Sequence, residues 1–234
     1  MPLYRYVKHV PKAPVRRSTI VSFIFMGLGF GILAWTIWPI IAFSAVTEGV
    51  LAKTVSPIAA SAFSTTQMIA GVVQAADSEN PSSWYPTRPQ KKITAGVNIY
   101  TITVPKLRIA NANVIVSGDD LAVSLIHYGG TPLPGQYGNA VVFGHSTLPQ
   151  FYNPANYHSI FSTLPSMEIG DIATVSVDGI EYVFKVFDKV VVEPTDLTPL
   201  EQKFDDSYLT LVTCVPPGTM WKRLNVKMRL VKNI

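Results

Sequence analysis

The stretch "IATVSVDGIEYVFKVFDKVVV" (Ile172–Val192) decides how the second half of this chain must be read. Two runs rich in β-branched and aromatic residues flank Asp178-Gly179, a pair that favours the tight turn of a hairpin. The runs alternate rather than repeat every three or four positions, so they read as strands.

Working outward, similar runs recur about every ten residues from Asn98 onward: "IYTITV", "NANVIV", "NAVVFGH", "SYLTLVTC" and "LNVKMRLV". Turn-forming stretches separate them, among them "SGDD", "GGTPLPGQYG" and "EIGD". This spacing predicts an all-β sandwich or barrel over residues 98–234. "DLAVSLIHY" (Asp120–Tyr128) and "DLTPLEQK" (Asp196–Lys203) are expected to form short helical turns. No internal repeat or low-complexity tract is present.

The front of the chain follows a different rule. Residues 18–46, "STIVSFIFMGLGFGILAWTIWPIIAFSAV", contain no Asp, Glu, Lys or Arg and exceed the roughly 20 apolar residues that cross a bilayer. They predict a transmembrane signal-anchor. Residues 1–17 carry Arg5, Lys8, Lys12, Arg16 and Arg17 with no acid, so the positive-inside bias keeps the N-terminus cytoplasmic and sends the rest outward. "AFSAV" (Ala42–Val46) resembles a signal-peptide cleavage site, but the apolar run is longer than a cleaved leader needs. Residues 47–97 read as an extracytoplasmic stalk, with three prolines and the cations Arg88, Lys91 and Lys92 in "PSSWYPTRPQKK" (Pro81–Lys92). Within it, Thr54–Ala76 is a rival second crossing, but Ser, Thr, Gln and Pro are too frequent there to favour one.

Composition narrows the function. The net charge of +4 comes from 19 cations against 15 acids; five of those cations belong to the leader, leaving 14 against 15 beyond it. An exported domain of that balance has no electrostatic case for nucleic acid. Its one cysteine, Cys214, has no partner within the chain for a disulfide. A free thiol in an oxidising compartment is either buried or used.

A thiol attacks as thiolate, a form that a nearby cation or imidazolium favours. Of four histidines, His9 lies in the leader, and His127 and His158 are expected as surface or packed side chains. His145 ends the apolar run "NAVVFGH", and Cys214 ends the run "SYLTLVTC". Strand ends are where a rigid scaffold presents functional side chains. If the two strands are neighbours and leave the sheet on the same side, imidazole and thiol meet at a rim. After the loop "VPPGTMWK", Arg223 opens the next strand, where a guanidinium can face an oxygen of whatever the thiol attacks. Lys222 and Arg229 are rival cations, with Lys222 expected to face the other way on a strand.

The residues "TLVTC", "PPG" and "RLNV" (Arg223–Val226) together resemble the signature of sortases, the membrane-anchored cysteine transpeptidases of bacterial surfaces. "YTITVPKLRIANANVIV", "HYGGTPLPGQYGNAVVFGHS", "IFSTLPSMEIGDIATV" and "VVVEPTDL" extend the resemblance over about Ile99–Val231. The resemblance implies a closed β-barrel of about eight strands, with His145, Cys214 and Arg223 as catalytic residues and Thr213 in contact with substrate. It implies cleavage of a Leu-Pro-x-Thr-Gly-like signal through a thioester, and transfer of the acyl group to an amine from a cell-wall precursor or a pilin lysine. Surface proteins bearing such signals are then its partners. A non-catalytic binding barrel and a cysteine endopeptidase using water are the alternatives.

Other features carry less. Trp84, Met220 and Trp221 can line a groove or simply pack. Pilus-polymerising sortases carry a lid with an Asp-Pro-aromatic motif; here "NPSSWYP" has Asn80 before Pro81 and Trp84 displaced, which argues against one. Asp119, Asp120, Glu168, Asp171, Asp205 and Asp206 show no metal-loop spacing and read as turn formers, so no metal or other cofactor is expected.

Overall fold

The computed structural model describes residues 17–51, 79–85, 88–92 and 96–231. The chain divides into two units, residues 1–42 and 43–234. Helix α1 (Arg17–Leu51) contains a window, Val21–Trp38, of mean hydropathy 1.8. It is the one described helix long and apolar enough to cross a membrane. Phe23, Phe25, Phe30, Trp35 and Trp38 are all exposed on it, as expected for a helix whose surroundings are apolar rather than aqueous. Residues 1–16 and the rival crossing at Thr54–Ala76 lie outside the described residues.

Eight strands follow: β1 (Ile99–Val104), β2 (Ile109–Val116), β3 (Leu125–His127), β4 (Gly138–Phe143), β5 (Ile172–Val177), β6 (Ile180–Val192), β7 (Ser207–Val215) and β8 (Lys222–Leu230). They close into one barrel in the order β1-β2-β3-β4-β7-β8-β6-β5. Closure leaves no strand edge unpaired. The β2–β3 and β4–β7 pairs are parallel and the others antiparallel. Asp178 and Gly179 take φ of 49° and 79°, so the β5–β6 hairpin turns as its sequence predicts.

The expected strand runs fall on strands, with one addition. In "DLAVSLIHY" a turn gives way to β3, where only helical structure was expected. Leu125, Ile126 and His127 are fully buried between β2 and β4. A slot lined by two ladders of backbone donors and acceptors favours a strand over any local turn preference. "DLTPLEQK" does form a single 3-10 turn, Thr198–Leu200.

Alternation sorts the barrel residues into two layers. Leu209, Leu211 and Val215 of β7 join Leu224, Val226 and Met228 of β8 in the interior, packed with Ile102, Leu125, Val142 and Phe184. Each such side chain contributes about 1.5–3 kcal/mol on burial. A second cluster covers the outer face of β3, β4 and β7, where Val141, Phe143, Val212 and Cys214 pack under Trp84, Tyr85, Leu121 and Leu200.

Trp84 and Tyr85 come from the stretch expected to be a stalk. Asn80 caps a one-turn helix α2 (Pro81–Trp84), its side chain accepting from the Ser82 N–H at 2.9 Å. The segment is tied to the barrel through Leu121 N–H to Glu79 O (2.9 Å) and Lys91 N–H to Gly129 O (3.0 Å). Gln90 Nε2 also donates to Gly118 O (2.6 Å), and the Tyr128 hydroxyl donates to Arg88 O.

Candidate active site

Parallel neighbours leave a sheet at the same end. Strands β4 and β7 are such neighbours, with Phe143 beside Val212, so His145 and Cys214 emerge together. The pairing continues past the strand, with Gly144 N–H donating to Val212 O at 3.1 Å. The Thr213 hydroxyl donates to Gly144 O (2.8 Å) and the Ser146 hydroxyl to Cys214 O (2.7 Å). Both residues flanking His145 are thereby bonded to the backbone around the thiol. A Cβ at Gly144 would lie 2.5 Å from Phe161 and 2.6 Å from Leu125, so only glycine lets the strand end sit this low.

Strand β8 brings the cation. Arg223 is the direct partner of Cys214 across the β7–β8 hairpin, and its Nη1 lies 3.3 Å from Sγ. Nη1 also reaches the carbonyl of Met220 at 3.3 Å. Lys222 is exposed and pairs with Glu193 (3.4 Å), and Arg229 pairs with Asp206 (2.6 Å). Of the three cations considered, Arg223 alone faces the thiol.

Trp84 covers the group. Its ring stands 4.6 Å from the Arg223 guanidinium carbon and 6.3 Å from the His145 ring, a cation–π arrangement over a buried cation. The departure from the Asp-Pro-aromatic motif does not keep this segment off the site, because the Asn80 cap turns Trp84 inward. His158 also reaches the site, its ring 6.1 Å from that of His145 and nearly parallel to it.

Burial sets the protonation. It pushes the Cys214 thiol up, against the pull of Arg223. It also pushes His145 down to about 4, with His158 lowering it further and Asp120 raising it. At neutral pH both shifts favour the uncharged forms, thiol and imidazole.

The remaining candidates are placed elsewhere. Thr213 is fully buried on the interior side of β7, with its hydroxyl committed to Gly144. His127 is buried and bonded to the Tyr100 hydroxyl (2.9 Å) and the Thr131 hydroxyl (3.0 Å). Met220 and Trp221 are exposed on the β7–β8 loop. The carboxylates considered for a metal are tied up in turns or ion pairs: Asp119 with Lys92, Glu168 and Asp171 with Lys106, Asp205 with Lys203, Asp206 with Arg229, and Asp120 with the Ala122 N–H. Among the described residues, no three of His, Cys, Asp and Glu converge as a metal site.

Comparison with known proteins identifies the family and the fold. The sortase domain family matches residues 102–231, more than half of the chain. The chain belongs to the sortase family. Among solved sortases, it is similar to sortase C1 from Streptococcus agalactiae at 30% identity, covering 62% of this chain and 72% of that one with a TM-score of 0.51. It is similar to sortase C-1 from Actinomyces oris at 26% identity, covering 60% and 76% with a TM-score of 0.51. A lid mutant of sortase A from Corynebacterium diphtheriae matches at 25% identity over 60% and 74%, also with a TM-score of 0.51. No curated protein sequence matches. Sortases are cysteine transpeptidases acting on surface proteins with sorting signals, and the barrel with its N-terminal apolar helix fits single-pass anchoring.

Two features of the site escape sequence reasoning, the His158 neighbour and the Ser146 bond to Cys214, while Trp84, offered by the sequence as lining a groove or packing, is placed as a cover. Ser146 follows His145 directly, so its proximity is legible, but its partner is not.

Proposed function

We propose that this sortase is a membrane-anchored transpeptidase, held by residues 18–46 with its barrel outside the cell, in which Cys214, His145 and Arg223 perform the reaction. The observation that carries this reading is the 3.3 Å contact between Arg223 Nη1 and Cys214 Sγ, beside a histidine delivered by the parallel neighbour strand.

The chemistry follows from the groups. As the substrate displaces Trp84, thiol and imidazole lose part of their burial, which lowers the first pKa and raises the second. The Cys214 proton passes to His145, and the thiolate attacks the carbonyl carbon of the scissile bond. Arg223 donates to the developing oxyanion. When the tetrahedral species collapses, the C–N bond breaks, His145 imidazolium protonates the departing amine, and a thioester remains. Neutral His145 then accepts a proton from the incoming amine as it attacks the thioester, and later returns that proton to the sulfur. Thr213, its hydroxyl bonded to Gly144, positions the two strand ends.

Intact mass spectrometry of the full chain in detergent, with Leu-Pro-x-Thr-Gly-like peptides and a small amine, tests this. An acyl adduct on Cys214 that is absent in Cys214→Ala and resolves into an amide with the amine supports transpeptidation. Resolution only by water shows an endopeptidase. Binding without any adduct shows a non-catalytic barrel.

A further inference from the structure

The outer row of β8 alternates Arg223, Asn225, Lys227 and Arg229, while Leu224, Val226 and Met228 face the core. Three members of that row have partners. Arg223 bonds Cys214, Lys227 pairs with Asp188 at 3.6 Å, and Arg229 pairs with Asp206. Asn225 differs. It is wholly buried between Val212 of β7 and Val190 of β6, and neither its amide nitrogen nor its amide oxygen has a hydrogen-bond partner.

Leaving a buried donor or acceptor unmet is destabilising, and a leucine of similar size would avoid that cost. Stability therefore gives no reason for asparagine. The neighbouring unmet atoms give another reason: the Tyr85 hydroxyl and Arg223 Nε are also buried without partners. Tyr85 lies close enough to Arg223, Asp196 and Cys214 to feel their charges. Five described residues hold such atoms, Ser124 and Thr163 being the other two; Tyr85 and Arg223 adjoin the thiol, and Asn225 lies two residues along β8 from Arg223. Unmet groups of this kind mark a surface completed by a ligand.

We propose that Asn225 is a specificity-determining residue whose side chain binds an amide of the substrate peptide about two residues from the scissile bond. The assignment rests on the transpeptidase reading above. Side chains two positions apart on a strand lie about 7 Å apart on one face, the advance of two residues in an extended peptide alongside. A primary amide offers one acceptor and two donors, and another amide meets both kinds at once. That amide is either a substrate peptide bond or an Asn or Gln side chain. A signal offering only apolar groups there leaves Asn225 unmet, and sites built around such a bond reject substrates lacking it.

The test uses the full chain in detergent and a peptide library randomised at the four positions preceding the cleaved bond, read as adducts on Cys214. The best peptide is then compared in the wild type and in Asn225→Leu. The expected result is a kcat/KM lower by about 10–100-fold in Asn225→Leu, with iodoacetamide labelling of Cys214 unchanged and a melting temperature no lower than wild type. If a substrate side chain is the source, the wild type selects Asn or Gln at one library position and Asn225→Leu does not. If the main chain is the source, replacing one peptide bond by an ester slows the wild type, a result that needs no variant. Unaltered selectivity in Asn225→Leu, together with indifference of the wild type to every ester and to Asn or Gln, overturns the assignment. Failure of the wild type to acylate on any library peptide overturns the transpeptidase reading and this inference with it.

Discussion

Arg223 and Cys214 are direct partners across the β7–β8 hairpin, and the guanidinium reaches the sulfur at 3.3 Å. A cation at that distance favours the thiolate, and in the proposed reaction the same guanidinium donates to the oxyanion. Arg223→Ala is expected to lower kcat/KM by about 10²–10³-fold, and Arg223→Lys to restore little, since a point charge lacks the fork. The guanidinium favours the charged form, so its loss moves the pH midpoint of Cys214 alkylation upward. An unchanged midpoint would contradict the contact as described.

Trp84 is predicted to protect the thiol. A cation–π contact contributes about 0.5–2 kcal/mol, so Trp84→Ala should speed iodoacetamide labelling of Cys214 by about tenfold. Hydration of the thiol also moves its labelling midpoint downward, opposite to the Arg223→Ala shift. Equal rates in wild type and variant would show that the cover does not limit access.

Acid should destabilise the barrel through His127. Burial holds this histidine at about 4, against an ordinary 6.5, with its bond to Thr131 opposing. The unfolded chain therefore binds a proton below pH 6.5 that the folded chain refuses until about pH 4. Stability is lost as pH falls through that window, by about 3 kcal/mol from this one group. Urea unfolding at pH 7 and pH 4.5 should show the loss, and His127→Gln should lessen it, leaving the share of His145, which burial also holds at about 4. A slope unaffected by that substitution would place the acid sensitivity elsewhere.

Thr213→Val removes the hydroxyl that meets the buried Gly144 carbonyl and should cost about 1–3 kcal/mol in urea unfolding. Because that bond joins the strand ends bearing His145 and Cys214, kcat should fall more than KM changes. A stability loss with kcat intact would leave Thr213 as packing alone.

How much of this is legible in the chain depends on the range of the interaction. The alternation of "SYLTLVTC" places Leu209 and Leu211 inside and Cys214 outside, because strand periodicity is local. Arg223 is separable from Lys222 for the same reason, and the structure buries one and exposes the other. Strand β3 is hidden because three residues carry too little pattern, and only its neighbours make it a strand. Trp84 is hidden because nothing between residues 84 and 223 links an indole to a guanidinium. Periodicity places Asn225 on the outer face, but its burial without partners is a property of the assembled sheet, where β6 and β7 flank it.

The β4–β7 ladder has one more consequence. Opening the barrel at this ladder and at the β5–β6 hairpin divides it into two sheets, each contiguous in space and in sequence. Strands β1 to β5 form one, in the order β5-β1-β2-β3-β4, and β6 to β8 form the other, in the order β7-β8-β6. The first ends beside the imidazole, and the second holds both the thiol and the guanidinium. On the proposed reading, a chain severed at the exposed Asp178-Gly179 turn yields two halves, neither of which holds the whole site, and the three groups come together again only if the halves rejoin along the ladder where histidine and cysteine meet.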